Sequence, residues 1–136
     1  MAATSLPVEH LFTMTATLGP ADMIEGGPQG SRVIVDVTGG TFDGPKLRGT
    51  VAASGGDWVH YRADGSGKLD VRATLHTHDG ASIYVSYNGI VKDREIRTAP
   101  LFETGDERYT WLNHVQAVGV GKSSPGSVTY DIYRLL

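Results

Sequence analysis

No cysteine occurs in the 136 residues, which excludes disulfides, thiolate metal sites and cysteine nucleophiles and fits a reducing compartment. No stretch approaches the roughly 18 apolar residues of a spanning helix. The opening residues, Met1 to His10, lack a basic region followed by an apolar run. The expectation is a cytoplasmic protein with no membrane partner. An excess of positive charge is also missing. The formal net charge is −3 and the lysines and arginines are dispersed, which argues against a phosphate-tracking surface, and no nucleic-acid partner is expected. G-x-S-x-G, G-x-x-x-x-G-K-[ST] and the dinucleotide fingerprint are absent, and Gly119-Val120-Gly121 reads as a strand end. Serine hydrolase, nucleotidase and Rossmann chemistry drop out, and no cofactor is implied.

What is present is turn chemistry. Eighteen glycines and six prolines stand in short clusters between β-branched runs, and 40% hydrophobic content supports a core. One all-β domain over residues 1–136 is expected. The clearest stretch is Leu69 to Val91, two long strands joined at Asp79-Gly80. A two-residue loop would mix apolar and charged residues on each face. A three-residue loop, His78-Asp79-Gly80, pairs Thr77 with Ala81, Leu75 with Ile83, Ala73 with Val85 and Val71 with Tyr87. That register makes one clean apolar face. It gathers Asp70, Arg72, Thr74, His76, Ser82, Tyr84, Ser86 and Asn88 on the other.

Further strands are expected at His10–Leu18, ended by Gly19-Pro20, and at Ser31–Thr38, Lys46–Ala53 and Asp57–Arg62. Glu95 to Glu103 follows, with Pro100 at an edge, bulge or rim, and then His114–Gly121 and Ser127–Leu135. Asp106 is placed to cap one or two helical turns through Leu112, and Asn88-Gly89 reads as a kink or bulge near a strand end. Nine strands at short, even spacing predict an antiparallel up-and-down β-barrel of about 8–10 strands with one short helix, since closure removes sheet edges.

Several words of the chain, in order, resemble the bacterial family known as domain of unknown function 3237. They are Gly40 to Gly49, Gly56-Asp57-Trp58, Leu69-Asp70-Val71-Arg72, Thr77-His78-Asp79-Gly80, Arg97-Thr98-Ala99-Pro100, Phe102-Glu103 and Tyr109-Thr110-Trp111-Leu112-Asn113. The resemblance implies a single-domain antiparallel β-barrel and brings no established reaction. It implies family-motif positions for Asp57, Trp58, Asp70, Arg72, Asp79, Arg97, Glu103, Trp111 and Asn113. The chain departs from the family pattern at Ala73, where an aromatic residue is expected, and in a shorter loop before Arg97.

The functional reading turns on what the polar face of the central hairpin looks at, solvent or the barrel lumen. In the lumen, Asp70 and Arg72 would form a charge-assisted pair that orients a polar group, and Tyr84 could donate a proton. These three are the candidate catalytic residues. Trp58 and Trp111, with Tyr109 and Phe102, would form a wall for a flat ligand, Arg97 would anchor a carboxylate at the rim, and Asn113 completes the candidate ligand-binding set. His76-Thr77-His78 has a metal-like spacing, but His78 belongs to the turn and no third ligand is evident, so no metal is expected. The first reading is a cofactor-independent lyase, isomerase or cyclase acting on a small apolar or aromatic molecule in the lumen. The alternatives left open are a non-catalytic carrier of such a ligand and a homo-oligomeric interaction module assembled through exposed apolar strands.

Overall fold

The structure, a computed structural model, describes residues 2–136. Ten strands run in chain order: β1 Val8–Gly27, β2 Gly30–Asp43, β3 Arg48–Val51, β4 Gly56–Tyr61, β5 Gly67–Thr77, β6 Ser82–Lys92, β7 Glu95–Thr98, β8 Leu101–Glu103, β9 Ala117–Ser124 and β10 Ser127–Leu135. A 3-10 helix, Thr110–His114, lies between β8 and β9. From β1 the sheet runs one way through β2 and β4 to β5, and the other way through β10, β9 and β7 to β6. Pairing of β5 with β6 closes it, so the central hairpin predicted from the sequence is the seam of the barrel. Short β3 bridges β2 and β5, and β8 adds to β6 where β7 has ended.

The hairpin has the predicted register, with Leu75 opposite Ile83, Ala73 opposite Val85 and Val71 opposite Tyr87. Thr77 and Asp79 explain why the turn takes three residues. The Thr77 hydroxyl donates to Asp79 Oδ1 (2.5 Å) and accepts from the Ala81 amide (2.8 Å), while Gly80 holds φ at 94°. Tyr109 donates its hydroxyl to Asp79 Oδ2 (2.7 Å), and the Arg108 guanidinium reaches the Asp79 carbonyl (2.9 Å). These bonds tie the segment before the 3-10 helix across the end of the barrel. They hold the Asp79 carboxyl below its usual range, chiefly through the Thr77 hydroxyl and then that of Tyr109.

The alternation of the strands turns one apolar face inward, as a barrel of this size requires. Phe12 meets Phe42 and Phe102 edge to face at centroid distances of 5.3 and 6.0 Å. Together with Leu75, Ile83, Leu112 and Ile132, all fully buried, they fill the interior toward the β5–β6 turn.

Several boundaries differ from expectation, among them β2, which runs on to Asp43, and β9, which begins at Ala117 because His114 closes the 3-10 helix. Gly19-Pro20 does not end β1. The strand shifts register between Leu18 and Ala21 and continues along β2 to Gly27, beyond the last β10 pair, Thr17 with Ser127. Pro20 thus falls where β1 has lost its β10 neighbour, and its missing N–H costs no ladder bond. Glu95 to Glu103 is two strands, because Ala99-Pro100 breaks the ladder between β7 and β8. The helical turn begins later, at Thr110, with Asp106 accepting from the Arg108 amide (3.0 Å) in the turn before it. Asn88-Gly89 stays in register; Gly89 is where β6 passes from β8 to β7, and a Cβ there would come 2.5 Å from the Arg97 carbonyl.

Candidate active site

Away from the packed end, the lumen opens into a pocket of about 150 Å³ lined by Val33, Val35, Val37, Leu69, Val71, Val91, Ile96 and Val128. A space of this size among aliphatic side chains holds a small apolar molecule more readily than water. Polar side chains interrupt it at Asp57, Tyr87 and Tyr130, and also at Tyr61 and Ser123.

Asp57 is there by alternation. In β4 the residues Asp57, Val59 and Tyr61 point inward, and Trp58 and His60 point outward. Across the wall, Val35, Asp57, Val71 and Tyr87 form one cross-strand row, so an acid occupies a position whose strand neighbours are valines. Strands β4 and β5 pair at Asp57 with Val71 and again at His60 with Lys68. Between these pairs the Asp70 amide donates to Asp57 Oδ1 instead (3.1 Å). Burial pushes the Asp57 carboxyl up to about 6; the Asp70 amide pulls down, and the nearby Asp70 charge pushes up again.

Tyr87 and Tyr130 meet edge to face with ring centroids 5.5 Å apart and are 6% and 2% exposed. Burial pushes both phenols up, Tyr130 to about 12, where a hydrogen bond with Tyr87 opposes the shift. Both therefore remain donors at neutral pH. Gly121, opposite Tyr130, makes room for its ring: a Cβ there would collide with Cδ1 and lie 2.8 Å from Cε1. The Gly119-Val120-Gly121 run is thus more than a strand end, since Gly119 in turn leaves room for Thr98 and Ile132.

Of the two placements left open for the polar face of the hairpin, solvent or lumen, the structure has the outer one. Asp70, Arg72 and Tyr84 lie on the outer wall, along an open groove shared with Ser86, Asn88 and Leu101. The reason is the alternation itself: Leu69, Val71 and Ala73 are buried, so their neighbours on β5 face out once the sheet closes. Asp70 and Arg72 form no ion pair with each other among the described residues. The Arg72 guanidinium lies over the Trp58 ring at 5.8 Å.

The expected aromatic wall is not assembled either. Trp58 is on the outer face of β4. Trp111 lies under two cations, Lys46 at 5.6 Å and Arg134 at 5.7 Å, while Phe102 is in the core and Tyr109 serves the turn. Arg97 pairs with Glu95 on its own strand (3.6 Å) in an open, exposed position. Asn113 has its amide engaged at both ends with the Thr104 backbone, accepting from N–H and donating to C=O, each at 2.9 Å. Asn113→Ala should therefore cost about 1 kcal/mol in denaturant unfolding and leave ligand affinity unchanged. His78 stands in the turn as expected, and His76 contacts Ser82 Oγ (3.1 Å).

Asp57, Tyr87 and Tyr130 were not among the residues selected from the sequence as a site. Asp57 carried a signal in the family word Gly56-Asp57-Trp58; Tyr87 and Tyr130 look like any apolar member of an alternating strand.

Fold and pocket define a closed antiparallel β-barrel with an apolar lumen and a small cluster of proton-carrying groups. The chain belongs to the family described as "Protein of unknown function (DUF3237)", whose model matches residues 6–95 and 91–135. It is 35% identical over 113 residues, covering 82% of this chain and 72% of the relative, to a Penicillium herquei protein named "Hydroalkoxylation enzyme phnH". A crystal structure of a beta-barrel like protein from Acinetobacter baumannii superposes with a TM-score of 0.91 at 29% identity, covering 99% of each chain. A crystal structure of an enzyme from Penicillium herquei gives 0.83 at 29% identity, covering 100% of this chain and 98% of that one.

Proposed function

We propose that this protein is a cofactor-independent enzyme that adds a hydroxyl group across a carbon–carbon double bond within one small apolar molecule, closing a ring in the lumen pocket. The observation that carries this reading is Asp57, a carboxyl among valines with its pKa pushed to about 6. A group poised near the working pH can both take and return a proton. The name of the Penicillium herquei relative supports the reaction class.

The addition is redox-neutral. The O–H bond and the π bond of the alkene break, a C–O bond forms at one alkene carbon and a C–H bond at the other, so the protein needs to supply only a proton acceptor, a proton donor and a fixed geometry. Asp57 takes the hydroxyl proton and delivers it back to carbon. The aliphatic walls fold the chain so that oxygen and alkene meet.

The test is to incubate the purified protein with small hydroxy-alkenes and resolve the cyclic ethers by chiral chromatography. Accelerated formation of one enantiomer supports the reading. A ligand that stays bound and is recovered unchanged, with only background racemic ether, makes the barrel a carrier instead.

A further inference from the structure

We infer that the double bond this pocket acts on is conjugated to a carbonyl, and that Tyr130, backed by Tyr87, is the hydrogen-bond donor that receives the carbonyl oxygen. The inference rests on the reading of the lumen as an addition site and names its substrate class.

The chemistry restricts the choice. A simple alkene must be protonated to a carbocation before an alcohol adds, a step that calls for a strengthened acid, whereas burial makes Asp57 a weaker one. An alkene conjugated to a carbonyl takes the opposite polarity. Oxygen attacks the β-carbon, its proton passes to Asp57, and the electron pair moves through the α-carbon onto the carbonyl oxygen to give an enolate. The same proton then returns from Asp57 to the α-carbon, and the carbonyl re-forms. Every atom and electron is accounted for without a co-reactant. The step that needs help is the charge on oxygen, and donors aimed at that developing charge supply it.

Tyr87 and Tyr130 suit that task. They are two phenols, both buried, in edge-to-face contact at 5.5 Å, facing a cavity whose other walls are almost wholly aliphatic. A pair of tyrosines needed only to fill space could be phenylalanines, as at Phe12, Phe42 and Phe102. Each is spaced from Asp57 by the curvature of the wall: Tyr87 stands two strands along the same cross-strand row, past Val71. Tyr130 is carried by β10, three strands from β4 the other way round the ring, and held over Gly121. The carboxyl and the phenols therefore reach the pocket from three different strands, which gives a proton acceptor at the attacking oxygen and donors at the carbonyl separate positions. Tyr130 is the proposed catalytic residue; Tyr87 is a positioning residue acting through it.

The experiment uses 2-cyclohexen-1-one and cyclohexene as probes of nearly equal shape, with the carbonyl stretch of the bound enone read by difference infrared spectroscopy. In the wild type the enone is expected to bind at least tenfold more tightly than cyclohexene, with its stretch shifted below the value in hexane. Tyr130→Phe should abolish both differences while leaving cyclohexene binding intact, which also shows that the variant is folded. Tyr87→Phe should keep part of the shift. An enone that binds the wild type no better than cyclohexene, with an unshifted carbonyl, overturns the substrate class and leaves the lumen pocket standing. Failure of both probes to bind overturns the pocket reading as well.

Discussion

Asp57→Asn is expected to lower turnover of any accepted substrate by about 10²- to 10⁴-fold, the usual worth of a positioned acid–base group, and at the same time to stabilise the barrel at pH 8. The two effects have one cause. An unfolded aspartate loses its proton near 3.8, whereas the folded Asp57 keeps it to about 6 because burial disfavours the charged form. Between those values the native state holds a proton that the unfolded chain has released, so native stability falls as pH rises. The fall totals about 3 kcal/mol across the window, at about 1.36 kcal/mol for each pH unit between the two values. Below about pH 4 the carboxyl is neutral in both states and nothing is lost; above about pH 6 the loss is complete and constant. An amide carries no such penalty, so the variant should gain roughly 2 kcal/mol over wild type at pH 8, allowing for a poorer fit to the Asp70 amide, and little or nothing at pH 4. Chemical denaturation at the two pH values reads this directly. A stability difference between wild type and Asp57→Asn that does not change between pH 4 and 6.5 would remove the basis for treating Asp57 as a poised group. The same titration places an inflection near pH 6 in wild-type kcat/KM, with activity rising as Asp57 becomes able to accept the hydroxyl proton. Keeping a partly charged carboxyl in an apolar lumen lowers stability, a cost tolerated where the group performs chemistry.

The architecture was more legible than the site, for a reason visible in the central hairpin. Side-chain alternation specifies which residues share a face, and the demand for one clean apolar face chose the three-residue turn and the correct pairing of Thr77 with Ala81. Alternation does not say whether the polar face is concave or convex. The family words at Leu69-Asp70-Val71-Arg72 drew attention to their charged members, yet on that strand the residues that face the pocket are Leu69 and Val71. Closing eight strands into a ring leaves room inside for little more than side chains, so the apolar set goes in and Asp70, Arg72 and Tyr84 go out. Asp57 escaped selection because a single acid in a six-residue strand between glycine turns resembles an exposed position. Only the cross-strand row with Val35 and Val71, which depends on pairings distant in sequence, shows that it points inward. Tyr130 depends in the same way on Gly121 and β9. Pro20 and Pro100 were legible as interruptions. Whether each ends a strand depended on whether a neighbouring strand was there to miss the N–H.

The family words rich in glycine make a second large prediction, on stability. Gly49→Ala should lower the unfolding free energy on the order of 3 kcal/mol and the Tm by roughly 10 °C, an effect as large as many core truncations. Gly49 lies on β3 between Phe42 of β2 and Thr77 of β5. A Cβ there would collide with the His76 carbonyl oxygen and approach Thr77 Cα to 2.9 Å. No side chain can rotate away to relieve this, because the obstacle is the backbone of the neighbouring strand. The φ of Gly49 is not in the left-handed region, so the requirement is close approach rather than conformation. Separating β3 from β5 would break the ladder over Gly49, Thr50 and Val51 and disturb Thr77, whose hydroxyl organises the turn and, through Asp79, the Tyr109 bond across the barrel end. Gly80→Ala is the matched control. Nothing lies within 4 Å of its Cβ position, so its cost should come only from φ at 94° and stay near 1 kcal/mol. Thermal unfolding followed by near-ultraviolet circular dichroism separates the two. Equal losses for both variants would mean that β3 shifts away from β5 at little cost, and that close approach is not what requires glycine at position 49.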